Sequence, residues 1–81
     1  MDENLQKDIQ SATLERLIKH LDSRKDVQNI DLMNLAGFCR NCISRWFREE
    51  GEKNGVSMSD LEAREHVSGM PYSEWKEKYQ K

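Results

Sequence analysis

The chain has 81 residues, which is one small domain at most, and a chain of this length buries only about 60% of the surface that its unfolded form exposes. Charged residues make up 35% of the sequence and apolar residues 36%, and the formal net charge is −2 at pH 7. This slightly acidic, interleaved composition argues against a nucleic-acid-binding protein, which usually carries a basic face.

Membrane and export signals are missing from the same sequence. No run approaches the ~20 apolar residues of a spanning helix, and the first residues lack the basic and apolar regions of a signal peptide. We therefore expect a cytoplasmic protein without membrane or nucleic-acid partners, and we expect its two cysteines to be reduced thiols.

The first predicted helix runs from about Ser11 to Arg24, with Ser11 as a possible N-cap. Its apolar residues share one arc of ~100° on a helical wheel; they are Leu14, Leu17, Ile18 and Leu21. Leu5 and Ile9 fall well outside that arc. We therefore expect residues 1–10 to form a separate N-terminal arm or short helix, and residues 11–81 to form a single helical domain.

The second predicted helix is the longest, over about residues 30–54, with Asn29 as N-cap and Gly55 just beyond its end. Eight of its side chains fill an arc of ~140°, which predicts a core face; they are Leu32, Leu35, Ala36, Cys39, Cys42, Ile43, Trp46 and Phe47. On this interpretation, Leu35 and Trp46 are among the least exposed residues of the protein.

Two shorter helices complete the predicted fold. Ser59 and Glu62 have the spacing of a capping box that opens a third helix, and Gly69 can end it. Pro71 fits the first position of a fourth helix, which carries aromatic residues on one side. No alternating strand pattern occurs, so we predict an all-α fold, a small bundle of about four helices without a sheet.

The motif Cys-x-x-Cys at Cys39 and Cys42 is the strongest candidate for chemistry. In the predicted long helix the pair lies about three turns from the N-terminus, where the helix dipole no longer activates a thiol. The favoured interpretation is a pair of buried core thiols. The alternatives are a zinc site completed by His66 or by a partner subunit, and a redox pair.

No other catalytic pattern is recognisable. A glycine-rich phosphate loop is absent from the sequence, and no serine, cysteine or carboxylate has the spacing of a catalytic triad. The expectation is a protein without catalytic residues and without a cofactor, zinc being the alternative.

A stripe of small, amide and basic residues lies opposite the predicted core face of the long helix; it comprises Asn34, Gly37, Asn41, Ser44, Arg45 and Arg48. Such a stripe would let another backbone approach closely, or it is a plain solvent-exposed face. The C-terminal aromatic residues are either core contacts or a recognition patch. The candidate interaction residues are therefore Asn34, Gly37, Asn41, Arg45, Tyr72 and Trp75.

Two segments of the sequence, from Asp26 to Cys42 and from Gly69 to Lys76, carry a family resemblance. The chain resembles the short bacterial domain-of-unknown-function family numbered 1244, over roughly Leu14 to Gln80. The resemblance implies a bacterial, single-domain, all-helical protein that plausibly acts as a dimer. It implies no activity, substrate or cofactor.

The leading functional hypothesis is a non-enzymatic helical protein-interaction module that acts as a homodimer. A chain this short has a marginal core, its longest predicted helix has two faces to cover, and closed two-fold pairs are the commonest assemblies of soluble chains. The alternative is a metal-binding protein that uses the Cys39/Cys42 pair. An unknown protein partner is also compatible with the sequence.

Overall fold

The computed structural model describes residues 1–80, which form five α-helices and no strand. The helices are α1 (Glu3–Ser23), α2 (Asn29–Ala36), α3 (Arg40–Lys53), α4 (Asp60–Ser68) and α5 (Tyr72–Tyr79). The prediction of an all-α fold is confirmed. The bundle has five helices rather than about four because the predicted long helix is two separate helices.

The first helix begins at Glu3 and continues without a break to Ser23. The prediction that the first helix begins at Ser11 is therefore wrong. A helix can continue even where its apolar residues move to another face. At 1.5 Å per residue, α1 is about 31 Å long. Its first half is exposed on all sides, and the molecule as a whole measures 43 × 26 × 20 Å.

The predicted long helix covers residues 30–54, but the observed helix ends at Gly37, seventeen residues before the predicted end. Gly37 has φ +76°, and its N–H bonds to the carbonyl of Met33 at 3.0 Å, which is a left-handed C-terminal cap. Cys39 then adopts an extended conformation and becomes the N-cap of α3. Gly37 lies inside the predicted long helix, but in the structure it is the residue that ends α2, because glycine adopts positive φ without steric cost.

This break changes which face of α3 is buried. The side chain of Leu35 is 87% exposed and that of Trp46 is 46% exposed, so the expectation that both are core residues is wrong. Ile43, a predicted core residue, is buried as expected, and Arg40 and Ser44 are buried beside it; the Ser44 hydroxyl donates to the carbonyl of Arg40 at 3.1 Å. A helical wheel drawn across residues 30–54 assumes a constant phase, which is lost where the helix is interrupted.

The core lies where α1, α3 and α4 meet. Leu21, Ile43 and Val67 form its centre, and Ile18, Leu32 and Phe38 pack around them. The helices α3 and α4 form an antiparallel hairpin, as contacts of Phe47 with His66 and of Gly51 with the Met58 region indicate.

The predicted capping box at the start of α4 is present. The backbone N–H of Glu62 donates to the Ser59 hydroxyl at 3.1 Å, and the Glu62 carboxylate accepts from the Ser59 N–H at 3.5 Å. Gly69 ends α4 with φ +75°, as predicted. Pro71 stands one residue before α5, at its N-cap. The amide of Gln28 donates to the carbonyl of Tyr79 at 2.8 Å and so ties the end of α5 to the α1–α2 connection.

Candidate functional site

The two cysteines lie at the start of a helix and not three turns inside one. Cys39 is the N-cap of α3, Cys42 lies in its first turn, and their sulfur atoms are 3.9 Å apart. The reason for discounting a reactive pair, its distance from a helix N-terminus, was therefore wrong. A Cys-x-x-Cys motif at the start of a helix is the arrangement found in dithiol redox proteins.

The two thiols differ in their access to solvent. The side chain of Cys39 is 8% exposed, whereas Cys42 is half-buried and has its sulfur 3.9 Å from that of Met33. A reagent can therefore approach Cys42 more easily than Cys39. Of the predicted pair of buried core thiols, Cys39 is buried and Cys42 is only half-buried.

Three guanidinium groups lie around the more accessible thiol. A shallow cavity of about 190 Å³, here named the guanidinium cavity, is lined by Asn41, Cys42, Arg45, Arg48, Asp60 and Arg64. Arg45 is 3.5 Å from the carboxylate of Glu49, and Arg64 is 3.0 Å from that of Asp60. Within residues 1–80, Arg48 forms no ion pair.

His66, the expected third metal ligand, has a different neighbour. Its ring stacks on that of Phe47 with 4.2 Å between centroids and 9° between planes. Over residues 1–80 no group of three or more histidine, cysteine or acidic side chains is arranged to hold a metal ion. The zinc hypothesis for Cys39, Cys42 and His66 stays a prediction.

The six candidate interaction residues do not share one helix face. Asn34 and Gly37 are exposed at the end of α2, whereas Asn41 and Arg45 line the guanidinium cavity on α3. The single stripe that suggested these four residues is absent, because α2 and α3 are separate helices. Their role in an interaction stays a prediction.

The two aromatic candidates lie on α5 in different settings. The Tyr72 ring lies under the Arg64 guanidinium at 4.3 Å, and Trp75 is only 2% exposed. The C-terminal aromatic residues were expected to be either core contacts or a recognition patch, and Trp75 is a core contact.

Arg40 is the residue of greatest structural consequence that the sequence did not reveal. It is 4% exposed and donates to the carbonyls of Leu21, Arg24 and Val27 and to the Asn29 side chain, at distances of 2.8 to 3.1 Å. It thereby binds the C-terminal carbonyls of α1, where the helix dipole favours a cation. An arginine next to a cysteine pair gives no sequence signal for this role.

Burial affects the electrostatics of Arg40. Removal from water lowers the pKa of its guanidinium below the usual value, while the nearby Cys39, Asp22 and Asp26 act in the opposite direction. The group stays charged at neutral pH because the ordinary pKa of a guanidinium lies far above neutrality. Its charge is further stabilised by the Trp75 ring, whose centroid is 5.3 Å away.

A second candidate site is apolar. A groove of about 250 Å³, here named the α1 groove, is lined by Leu14, Leu17, Ile18, Phe38, Ile43, Trp46, Phe47, Glu50 and Val67. Leu14, Leu17 and Trp46 are exposed along it. Large apolar side chains that line one exposed groove are typical of a binding surface.

The groove continues into an apolar ridge on α1. Residues at successive i+4 positions form this α1 ridge, which turns around the helix by about 40° per step, so that Leu5 and Ile9 lie outside the arc of Leu17 and Leu21; the row comprises Leu5, Ile9, Thr13, Leu17 and Leu21. Leu21 lies in the core, Leu17 lines the groove, and Leu5 and Ile9 are exposed beyond it. The Thr13 hydroxyl donates to the carbonyl of Ile9 at 2.8 Å, so its hydrogen bond is made within the helix.

Five helices, an apolar groove and a cysteine pair at a helix start define a small all-helical domain. The chain belongs to the family described as "Protein of unknown function (DUF1244)", whose family model matches residues 27–81. The match confirms the resemblance and covers α2 to α5, while α1 lies before it. Among curated proteins no relative matches the chain. Within the described residues, none of the helices combines the length and hydropathy needed to cross a membrane.

Proposed function

We propose that this protein is a non-enzymatic helical interaction module that pairs with a second copy of itself through α1. The observation that carries the proposal is the α1 ridge, which runs from the core, past the α1 groove, to the exposed residues Leu5 and Ile9. The proposed dimer interface is therefore the α1 ridge and not the stripe of small, amide and basic residues that the sequence suggested.

The burial of apolar residues supports a partner at this surface. Among residues 1–80, only six apolar or thiol side chains are buried: Leu21, Cys39, Ile43, Ala63, Val67 and Trp75. By contrast, Leu5, Ile9, Leu14, Leu17 and Trp46 are exposed although they are among the largest apolar residues of the described chain. Covering them would add to a core that is small for an independent domain.

The periodicity of the ridge favours a second copy as the partner. Ridges formed by i+4 residues on two helices interdigitate when the helices cross at about −50°, the commonest helix packing in globular proteins. Two identical ridges related by a two-fold axis satisfy this geometry, because in such a pair each helix presents the same surface to the other. The exposed first half of α1 would then lie over the α1 groove of the partner copy.

Ile9→Glu is expected to convert the dimer into a monomer without unfolding the chain. Ile9 is exposed and lies in the projecting half of α1, so a carboxylate there costs the monomer little, whereas in a dimer it is buried without a partner. Sedimentation at micromolar concentration measures the association, and far-ultraviolet circular dichroism checks the helical content.

Leu61→Glu is the matched control, since Leu61 is an exposed leucine on α4 that lines neither the groove nor the ridge. We expect it to leave the dimer intact. A wild-type monomer would overturn the proposal, as would a dimer insensitive to Ile9→Glu. If Leu35→Glu on α2 dissociates the dimer and Ile9→Glu does not, the two copies associate through α2 and the α1 ridge is not the interface.

A further inference from the structure

We propose that Cys39 and Cys42 are a redox-active dithiol, modified reversibly by small disulfides that carry carboxylates. The sulfur atoms are 3.9 Å apart at the start of α3, and the guanidinium cavity surrounds the accessible thiol. This modification site is independent of the α1 ridge, which uses other residues.

The distance between the sulfur atoms permits an internal disulfide. A bond requires the two atoms to close to about 2.05 Å, and the side chains of a Cys-x-x-Cys pair at a helix start can do this by rotating. Cys39 precedes α3 in an extended conformation, so it is outside the regular helical backbone. In a continuous helix across this region, as the sequence suggested, both cysteines would be held in helical geometry.

Unequal exposure assigns different roles to the two thiols. Cys42, the half-buried residue at the cavity, is the thiol that an external disulfide reaches first. Cys39 is 8% exposed, and its sulfur is 3.9 Å from that of Cys42, which makes Cys42 a neighbour that it can attack. The accessible thiol therefore attacks, and the buried one resolves the intermediate.

The thiol–disulfide exchange has two steps. The Cys42 thiolate attacks one sulfur of the small disulfide, a mixed disulfide forms, and the first small thiolate leaves. The Cys39 thiolate then attacks the Cys42 sulfur, the internal disulfide forms, and the second small thiolate leaves. The protein loses two electrons, the small disulfide gains them, and the two thiol protons pass to the released thiolates.

Charge determines which disulfides the cavity favours. The lining has three guanidinium groups and one carboxylate, and Arg48 alone has no ion-pair partner within residues 1–80. Guanidinium groups bind carboxylates through paired N–H donors. A disulfide whose carboxylates give it a net negative charge is thus attracted to the site of attack, whereas one with a net positive charge is repelled.

The test uses the full reduced chain, without oxygen, and two probes: oxidised glutathione, which carries carboxylates, and cystamine, which is cationic. Acid quenching and intact-mass measurement follow the products. We expect the wild type to lose two hydrogens and retain no glutathione. Cys39→Ser should stop at the mixed disulfide on Cys42, and Cys42→Ser should react about tenfold more slowly, because buried thiols react slowly.

Arg48→Gln tests the recognition of charge. Its rate with oxidised glutathione should fall up to about fivefold, the value of one exposed ion pair, while its rate with cystamine should not fall. Arg16→Gln on the exposed face of α1 is the matched control and should change neither rate.

Three results would overturn the proposal: a wild-type chain that stops at the mixed disulfide, a Cys42→Ser variant that reacts as fast as the wild type, or an Arg48→Gln variant whose preference between the probes is unchanged. Stoichiometric zinc that protects both thiols in the purified protein would also overturn it, in favour of the metal-binding alternative. Circular dichroism of each variant separates a change in reactivity from a loss of fold.

Discussion

Arg40→Met is expected to remove about 3–5 kcal/mol from the free energy of unfolding, which is most of the stability of a small domain. The substitution leaves three backbone carbonyls and the Asn29 side chain without their cationic donor. Hydrogen bonds to charged groups each contribute about 1.5–3 kcal/mol, and here part of that sum is offset because the guanidinium is no longer buried.

Urea denaturation followed by circular dichroism measures this effect. Arg40→Lys retains the charge, but its single ammonium group cannot reach all four acceptors that the two terminal nitrogens of the guanidinium serve, so an intermediate loss is expected. Arg45→Met is the matched control: Arg45 is exposed and pairs only with Glu49, so a change within about 0.5 kcal/mol is expected. An Arg40→Met chain as stable as the wild type would show that the α1 carbonyls do not need this residue.

Trp75→Ala is expected to cost about 3–5 kcal/mol, the usual loss for a buried tryptophan. Trp75 is 2% exposed, and its ring contacts the Arg40 guanidinium and the Tyr79 ring. The substitution leaves a cavity and removes the aromatic face that stabilises the Arg40 charge. The end of α5 should consequently detach from the α1–α2 connection.

The second tryptophan, Trp46, supplies the matched comparison for Trp75. It is 46% exposed on the α1 groove, so Trp46→Ala should cost the monomer much less than Trp75→Ala and should instead weaken the dimer. Since the chain has two tryptophans, each variant also reports the fluorescence of the other ring. In Trp46→Ala only the buried Trp75 remains, so its emission should stay blue-shifted. Equal losses of stability in Trp46→Ala and Trp75→Ala would contradict these assignments.

Arg40 and Trp75 touch, so their substitutions should not be additive. Once Trp75 is absent, Arg40 has already lost its aromatic contact, and removing it costs less than in the wild type. The double variant should therefore lose less stability than the sum of the single variants, whereas Arg40→Met combined with Trp46→Ala should come closer to additivity.

Local sequence signals predicted several elements correctly because their physical causes are local. The capping box of Ser59 and Glu62 depends on hydrogen bonds within one turn, and Gly69 ends α4 through its own positive φ. The absence of strands within residues 1–80 follows from the lack of any alternating pattern. The family resemblance depended on long unusual segments and was confirmed over residues 27–81.

The break at Gly37 was missed because two interpretations of one glycine compete. A glycine inside a helix costs up to about 1 kcal/mol, which a continuous apolar face can offset, whereas a glycine at C′ ends the helix without strain. The apolar pattern across residues 30–54 favoured continuity. That error moved Leu35 and Trp46 into the core and placed Cys39 inside a helix rather than at its start.

The sequence by itself determined the helical class, the capping of α4 and the family, since these depend on residues that are neighbours along the chain. Tertiary structure alone decided the rest. Arg40 meets the carbonyls of α1 only because the start of α3 lies at the C-terminal end of α1, and Cys42 lies beside Arg64 only because α4 folds back on α3. Such contacts join residues 16 to 22 positions apart, and neither helical periodicity nor capping propensity encodes which of them will meet.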